Sequence, residues 1–277
     1  MFYSTKKVLL AGAVALLAMP ALAADLYEPP VEEAPVEAPA YEPVEFGGWY
    51  IRGDVGYRES SFGGADYVLY GDPGALGHFD FGKLKGSFSA GGGVGYQITR
   101  NFRADLTGDF WAKTKFRGQT SGWCGNGQPC VSVDNSSYTA FLLLANAYVD
   151  LGTWHGITPY VGAGIGGGHL KWNSLINQDD DGSFEHKGQS GWRFAYALMA
   201  GASYCLTDRT KLDVGYRYSH LNGGAMFGYN AGGGPGYDKG IDSHEVRAGL
   251  RYQFGNSDCA QPAPVAYEPQ PEPLYTK

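Results

Sequence analysis

The chain has 277 residues, with 21 Lys and Arg against 28 Asp and Glu, which gives a formal net charge of −7. This acidic balance disfavours a nucleic-acid-binding protein, because phosphate backbones bind basic surfaces. There are 43 Gly and 20 Tyr but no run of 18 apolar residues after residue 24, which excludes a transmembrane helix there and favours an all-β protein.

The first 23 residues have the pattern of a secretory signal peptide. Two lysines precede an apolar run of 11 residues, and an A-x-A sequence ends at Ala23. The alternative is an uncleaved anchor helix, which is disfavoured because so short an apolar run does not span a bilayer. Cleavage between Ala23 and Ala24 predicts a mature chain in an oxidising compartment, with Asp25 as its second residue.

Two proline-rich segments flank the middle of the chain. Residues 24–46 hold seven acidic residues, five prolines and no base, and residues 256–277 hold three acidic residues, one Lys and five prolines. Such segments cannot bury a core, so we predict extended, solvated chains. Residues 47–255 hold 18 basic and 18 acidic residues and are predicted to form the folded domain.

Eight segments within residues 47–255 alternate apolar and polar side chains. This period of two predicts β-strands with one apolar and one polar face. Aromatic residues stand at both ends of the apolar faces of most of these segments. In a barrel, one rim would be lined by Trp49, Tyr96, Phe102, Tyr204 and Phe254, and the other by Tyr57, Phe88, Phe110 and Tyr218. Two aromatic girdles around an apolar band are typical of a barrel that faces lipid.

The connections between these segments alternate in length. Short ones lie at 98–101, 152–157 and 207–210, and long ones at 58–86, 112–137, 172–191 and 220–243. Bacterial outer-membrane barrels have short periplasmic turns and longer extracellular loops. We therefore predict an all-β fold, an eight-stranded antiparallel transmembrane β-barrel of the cell outer membrane, with four long extracellular loops and both Pro-rich tails in the periplasm. A secreted soluble sandwich or lipocalin-like barrel is the alternative.

Four motifs carry a family resemblance: NAYVDLG at 146–152, PYVGAGIG at 159–166, LDVGYRYS at 212–219 and RAGLRYQF at 247–254. The chain resembles the small eight-stranded outer-membrane barrels (OmpA-like transmembrane domains), in the form common in alphaproteobacteria. The resemblance implies a monomer in outer-membrane lipids and lipopolysaccharide, with an assembly signal for the outer-membrane assembly machinery at Gly249, Tyr252 and Phe254. Unlike many such barrels, the sequence continues past the signal, and the 23 residues after Phe254 are expected to be too few for a separate peptidoglycan-binding domain.

The polar faces of the strands are predicted to line the lumen. They hold seven basic residues, Arg52, Arg103, Arg193, Lys211, Arg217, Arg247 and Arg251, and six acidic ones, Asp54, Asp105, Asp109, Asp150, Asp213 and Glu245. Unpaired charges are costly in a confined space, so we expect a cross-strand ion-pair network. This network is interpreted either as a structural plug or as a narrow path for water or ions, because eight strands are too few for a wide pore.

A lipid-modifying enzyme is a further alternative, since some eight-stranded outer-membrane barrels modify lipid A. The candidates are Ser219, His220, His244 and Glu245, near adjacent strand ends. Neighbours in a strand point to opposite faces, so Ser219 and Glu245 should face inward and both His residues outward. We therefore predict no triad, no enzymatic activity and no cofactor.

One acidic segment matches part of a calcium loop. Asn177, Asp179, Asp181 and Gly182 occupy positions 1, 3, 5 and 6 of that pattern. Position 12 is Gly188 instead of Glu, and Asp-Gly favours turns. A solvated acidic turn is therefore the preferred interpretation, and no metal site is predicted.

The second long connection carries two further features. Lys113, Lys115 and Arg117 stand at its base, where anionic groups of lipopolysaccharide would lie, although a solvated rim fits equally well. Cys124 and Cys130 are close enough in sequence to form a disulfide in an oxidising compartment.

A second disulfide, between Cys205 and Cys259, is also predicted. Cys205 ends the sixth strand and Cys259 follows the eighth. These strands would lie about 10 Å apart, two interstrand spacings. The flexible tail could close that distance.

The predicted mature N-terminus indicates an envelope function. Barrels of the resembled type that start with Ala-Asp are joined to peptidoglycan through the N-terminal amine, which implies attachment at Ala24 and Asp25. Residues 24–46 could reach about 70 Å at roughly 3.1 Å per residue; an inert spacer is the alternative. The sequence thus predicts a structural surface barrel that stabilises the envelope and presents loops, with a narrow porin-like channel or a lipid-modifying enzyme as alternatives.

Overall fold

The computed structural model describes residues 47–70, 75–124, 127–230, 233–255 and 257–259. These residues form an all-β fold of twelve strands: β1 (Gly48–Phe62), β2 (Ala65–Leu69), β3 (Leu76–Leu84), β4 (Ser87–Gln97), β5 (Phe102–Trp123), β6 (Pro129–Asp150), β7 (Ile157–Trp172), β8 (Leu175–Asp179), β9 (Gly182–His186), β10 (Ser190–Cys205), β11 (Thr210–Phe227) and β12 (Gly233–Gln253). Among the described residues, no helix is long and apolar enough to cross a membrane.

Eight long strands close into a ring. In order around the ring, β1, β4, β5, β6, β7, β10, β11 and β12 pair antiparallel, and β12 pairs back with β1. A sheet that returns to its first strand has no free edge and is a closed barrel. The predicted eight-stranded antiparallel barrel is confirmed.

The four short strands correct the prediction that the long connections are loops. β2 pairs with β12, β3 pairs with β5, and the β8–β9 hairpin pairs with β6. Much of the chain predicted as loop is therefore β-structure that continues the barrel wall. We call this end the long-hairpin end and the opposite end the short-turn end.

The outward faces of the barrel strands form an apolar belt. Register places Trp49 opposite Tyr96 and Tyr57 opposite Phe88 on the neighbouring strand, with ring centroids 5.4 and 5.3 Å apart. Between these aromatic pairs, Val55 is 64% exposed. The structure thus places aromatic rings at both ends of an apolar surface. We call the β-structure beyond the girdle that contains Tyr57 and Phe88 the head.

The inside of the barrel has two chemically different halves. The half near the short turns is lined by charged residues. Toward the long-hairpin end, the interior is an apolar core that includes Leu142, Leu144, Leu170, Trp172 and Leu221. The sequence pattern predicts polar residues throughout the lumen, so this core is a structural finding.

A β-bulge on β5 lies at the boundary between the two halves. Asp109 and Trp111 point inward, and after a register shift between Trp111 and Thr114 the inward positions become Thr114 and Phe116. One extra residue moves all following side chains to the opposite face. The strand therefore has an apolar outer face in the belt and an apolar inner face in the head.

Candidate functional site

The centre of the charged half holds a continuous chain of ion pairs. The Arg217 guanidinium lies 2.6 Å from Asp109 and 2.6 Å from Glu245. Arg247 bridges Asp109 and Asp54, at 3.1 and 3.2 Å. Residues from β1, β5, β11 and β12 are thus linked across the lumen.

Arg52 continues this chain toward the short-turn end. Its guanidinium lies 2.7 Å from Asp54 and 3.1 Å from Asp105. Asn146 donates a hydrogen bond to Asp105 at 2.7 Å, and Arg52 donates one to the Tyr148 hydroxyl at 3.3 Å. Hydrogen bonds added to ion pairs offset the cost of removing charges from water.

A second group of ion pairs lies nearer the short turns. Arg103 is 3.0 Å from Asp150, and Arg251 is 3.2 Å from Asp213. The Arg103 guanidinium also stacks 4.1 Å from the centre of the Tyr148 ring. The lumen at this level is filled by side chains of several strands.

Two residues of the predicted network pair with carboxylates outside the predicted set. Lys211 pairs with Asp258, which follows the last strand, and Arg193 lies 2.7 Å from Asp238. Trp172 also donates a hydrogen bond to Asp238, at 3.0 Å. Arg193 therefore belongs to the head and not to the central chain. The alternation in sequence did not indicate Asp238 because β12 begins earlier than predicted.

Arg58 is a buried lumen cation in a segment that the sequence pattern predicts as loop. It donates hydrogen bonds to Thr114 at 2.6 Å and Tyr138 at 3.0 Å. Its guanidinium lies 4.1 Å from the centre of the Trp111 ring. Arg58 continues the alternation that places Arg52 and Asp54 on the polar face of β1, and this spacing is the sequence signal that could have identified it as a lumen residue.

Both predicted disulfides are present in the structure. Cys124 joins Cys130, and Cys205 joins Cys259, with Cα atoms 5.6 and 5.7 Å apart. The second bond holds residues 257–259 against the short-turn end, next to the ion pair formed by Asp258. Burial raises the pKa of Asp258, but the nearby Lys211 ammonium outweighs this effect and the net pKa is lowered.

The residues considered for an enzymatic triad lie on opposite sides of the wall. Ser219 and Glu245 are buried in the lumen, whereas His220 and His244 face outward. Glu245 pairs with Arg217, and His220 lies 2.8 Å from Asp242. The structure therefore does not bring these four side chains into one site.

The acidic segment compared with a calcium loop is the β8–β9 hairpin. One Asp179 oxygen accepts hydrogen bonds from the amides of Asp181 and Gly182, at 2.9 and 3.1 Å. Asn177 donates to Asp134 on β6, at 2.7 Å. The two contacts of Asp179 are those of an Asx turn, in which the acidic side chain accepts hydrogen bonds from the local backbone amides.

The residues of the predicted assembly signal lie on the last strand or directly after it. Tyr252 and Phe254 face outward, and their ring centroids are 5.2 Å apart. A side chain at Gly249 would clash with the Asp54 carboxylate, so glycine leaves room for the lumen network.

Basic residues gather on the outer surface of the head. Lys83 on β3 lies opposite Arg117 on β5, and the Lys85 amide donates to the Lys115 carbonyl at 2.9 Å. Lys113 follows on the same outer surface. These five exposed residues form what we call the cationic patch.

The head also contains a half-open cavity of about 220 Å³. Aromatic side chains and the buried carboxyl of Asp134 contribute to its wall. Burial raises the pKa of Asp134 to about 6. Nothing in the sequence pattern indicates this cavity, because strands distant in sequence build it.

Ala23, Ala24 and Asp25 lie outside the described residues. Signal cleavage between Ala23 and Ala24, and attachment to peptidoglycan at Ala24 and Asp25, therefore stay predictions.

The chain is similar to known outer-membrane proteins over most of its length. The outer membrane protein beta-barrel domain family matches residues 9–254. An uncharacterized protein of Brucella abortus is 36% identical over 264 residues, which cover 79% of this chain and 90% of that protein. Outer membrane protein PagN of Salmonella typhimurium is 27% identical over 225 residues, 75% of this chain and 90% of PagN.

Among solved structures, the chain is similar to the outer membrane protein OprG from Pseudomonas aeruginosa. It aligns with 76% of this chain and 98% of its own, at 15% identity and a TM-score of 0.45. The family assignment rests on the sequence match and agrees with the closed ring of strands. This chain belongs to the outer membrane β-barrel family.

Proposed function

We propose that this protein is a structural, non-conducting barrel of the outer membrane that presents its head at the cell surface. The observation that carries the proposal is the filled lumen, in which ion pairs occupy one half and an apolar core the other. An eight-stranded barrel is narrow enough for side chains to fill it. A continuous path for water would have to displace both the ion pairs and the side chains of the apolar core.

The test is a conductance measurement on the full chain in planar lipid bilayers. We expect no single-channel steps after the folded protein is inserted. The same preparation, unfolded by heating in detergent, serves as the control for leaks caused by detergent. Uniform, voltage-stable current steps from the folded sample alone would overturn the non-conducting function in favour of a narrow channel.

We infer that the long-hairpin end is extracellular and that both termini are periplasmic. Short turns face the periplasm in bacterial outer-membrane barrels. Protease mapping of whole cells tests this orientation. Cleavage in the β8–β9 hairpin by an external protease supports it, and cleavage only after the outer membrane is opened contradicts it.

The cationic patch supports lipopolysaccharide as a lipid partner. It lies just beyond the aromatic girdle, at the depth where headgroup phosphates would pair with Lys and Arg. Replacement of Lys113, Lys115 and Arg117 by Gln should reduce the rise in unfolding temperature that lipopolysaccharide produces in proteoliposomes. The same change at Lys239, an exposed residue of β12 that lies 3.0 Å from Asp66 and outside the patch, is the control. An undiminished rise in the triple variant would mean that these three residues of the patch do not bind lipopolysaccharide.

The separation of Ser219 and Glu245 from the two His residues supports a function without catalysis. Lipid A from cells with and without the protein should therefore have the same mass spectrum. A mass change that depends on the protein would instead establish lipid modification.

Anchoring of the envelope through Ala24 is the remaining proposal. Peptidoglycan purified in boiling detergent and digested with muramidase should release muropeptides joined to the N-terminal peptide. The linkage should disappear when Ala24 and Asp25 are altered with cleavage retained. Peptidoglycan without a linked peptide would contradict the attachment and would favour the alternative that residues 24–46 are an inert spacer.

A further inference from the structure

The head cavity is small and has an apolar floor. Its volume of about 220 Å³ lies below the roughly 300–1,000 Å³ of pockets for drug-sized ligands. Phe79 lines the cavity and also packs on Phe116 of the apolar core, with centroids 5.9 Å apart. Phe79 thus separates the cavity from the apolar core, and the volume suits one small chemical group.

Aromatic rings form one wall of the cavity. Tyr67, Phe79 and Phe227 contact one another with centroids 6.0, 6.2 and 6.4 Å apart. His186 packs on Phe227 at 5.1 Å, and its Nδ1 lies 3.1 Å from the Gly228 carbonyl oxygen. The faces of aromatic rings carry partial negative charge and attract cations.

The charged residues of the wall are acidic. Asp134 and Asp179 line the cavity, and no Lys or Arg of the described chain does. The gaps at 71–74, 125–126 and 231–232 contain no Lys or Arg in the sequence. The cavity therefore carries a negative charge that these segments do not compensate.

Asp134 is the buried member of this pair, and its hydrogen-bond donors within the described residues are neutral. Its oxygens accept hydrogen bonds from Asn177 at 2.7 Å and Thr120 at 3.2 Å, and the residue is 1% exposed. Tyr67 on β2 and Asp80 on β3 also interact electrostatically with it. A buried carboxylate without a cation is costly, so a bound cation would be favoured here.

We propose that the head cavity binds the ammonium group of a small organic cation, with Asp134 as counter-ion and the rings of Tyr67, Phe79 and Phe227 as the surrounding wall. The site is independent of the ion-pair chain and of the cationic patch.

The site should respond to pH in one direction. The Asp134 carboxyl must be ionised to pair with a cation, and its pKa is raised by burial to about 6. From pH 7 to pH 5 the ionised fraction of such a group falls about tenfold. Apparent affinity for an ammonium ion should fall by about the same factor.

The first experiment needs no variant. Choline and its neutral isostere 3,3-dimethylbutanol are titrated into the full, folded chain in detergent micelles by calorimetry at pH 7.5. We expect choline to bind with one-to-one stoichiometry and at least about tenfold more tightly than the alcohol. Equal affinities, or no heat of binding for choline up to tens of millimolar, would overturn the proposal.

The second experiment assigns the charge. Asp134→Asn should weaken choline binding at least about tenfold and abolish its dependence on pH. Asp180→Asn makes the same charge change at the exposed hairpin tip and should alter affinity less than about twofold. Equal losses in both variants would mean that the general field of the head, and not this site, attracts the ligand. A closed barrel resists detergent until it is boiled, so a difference in gel migration between unheated and boiled samples shows that each variant has folded.

Discussion

The charged half of the lumen and the head share long strands such as β5, but the polar and apolar faces of this strand are exchanged between them. Within the belt, β5 points Asp105 and Asp109 inward and Leu106 outward. In the head, the same strand points Phe116 inward and Lys115 outward. The outer medium explains the inversion, because lipid favours apolar side chains outside and water favours them inside. In the distribution of polar and apolar side chains, the charged half therefore resembles a membrane barrel and the head resembles a soluble β-protein.

The largest expected effect comes from breaking the ion-pair chain. Arg217→Met leaves Glu245 buried without its guanidinium partner and should destabilise the barrel by about 3–5 kcal/mol. Urea unfolding of the protein in lipid vesicles measures this, with Arg209→Met at an exposed turn as the control. Adding Asp109→Asn and Glu245→Gln to the Met variant should restore much of the loss. No restoration would mean that packing, and not charge, stabilises this half.

A smaller effect is expected in the apolar core. Leu142 is fully buried there, whereas its neighbour Leu143 faces lipid and is 42% exposed. Leu142→Ala should cost about 2–4 kcal/mol, because it removes buried contacts and leaves a cavity. The same unfolding measurement on Leu143→Ala is the matched control, and its loss should be less than half as large. Equal losses of stability in the two variants would contradict the conclusion that Leu142 is packed more tightly in the core than Leu143 is against lipid.

The smallest effect concerns Asp134 and depends on pH. Its folded pKa of about 6 lies above the ordinary value of 3.8, so the folded protein holds this proton more tightly than the unfolded chain. Stability should therefore fall as pH rises from 4 to 6 and remain lower above that. Asp134→Asn should gain about 1–3 kcal/mol at pH 7.5 and nothing near pH 4. Thermal unfolding at both pH values, with Asp180→Asn as control, measures the gain; an equal gain at pH 4 would exclude ionisation as its cause.

Much of the barrel could be predicted because a strand in lipid repeats one simple pattern. Alternation around Arg52 and Asp54 identifies the faces of β1, and the aromatic tips at Trp49 and Tyr57 identify its ends. The head could not be predicted in the same way. The bulge between Trp111 and Thr114 shifts the alternation of apolar and polar side chains along β5 by one residue. The sequence pattern therefore predicts that this strand ends at the bulge, although it is continuous.

The sequence by itself determined the number of barrel strands, their apolar belt and most of the charged residues of the lumen, since each depends on local alternation of side chains. Only the tertiary structure decided which charges meet. Arg217 forms an ion pair with Asp109 across the lumen, Arg193 pairs with Asp238, and Lys211 pairs with Asp258. The physical reason is ring closure, which brings strands far apart in sequence face to face at distances that their spacing along the chain does not encode. The same closure builds the head cavity around Asp134.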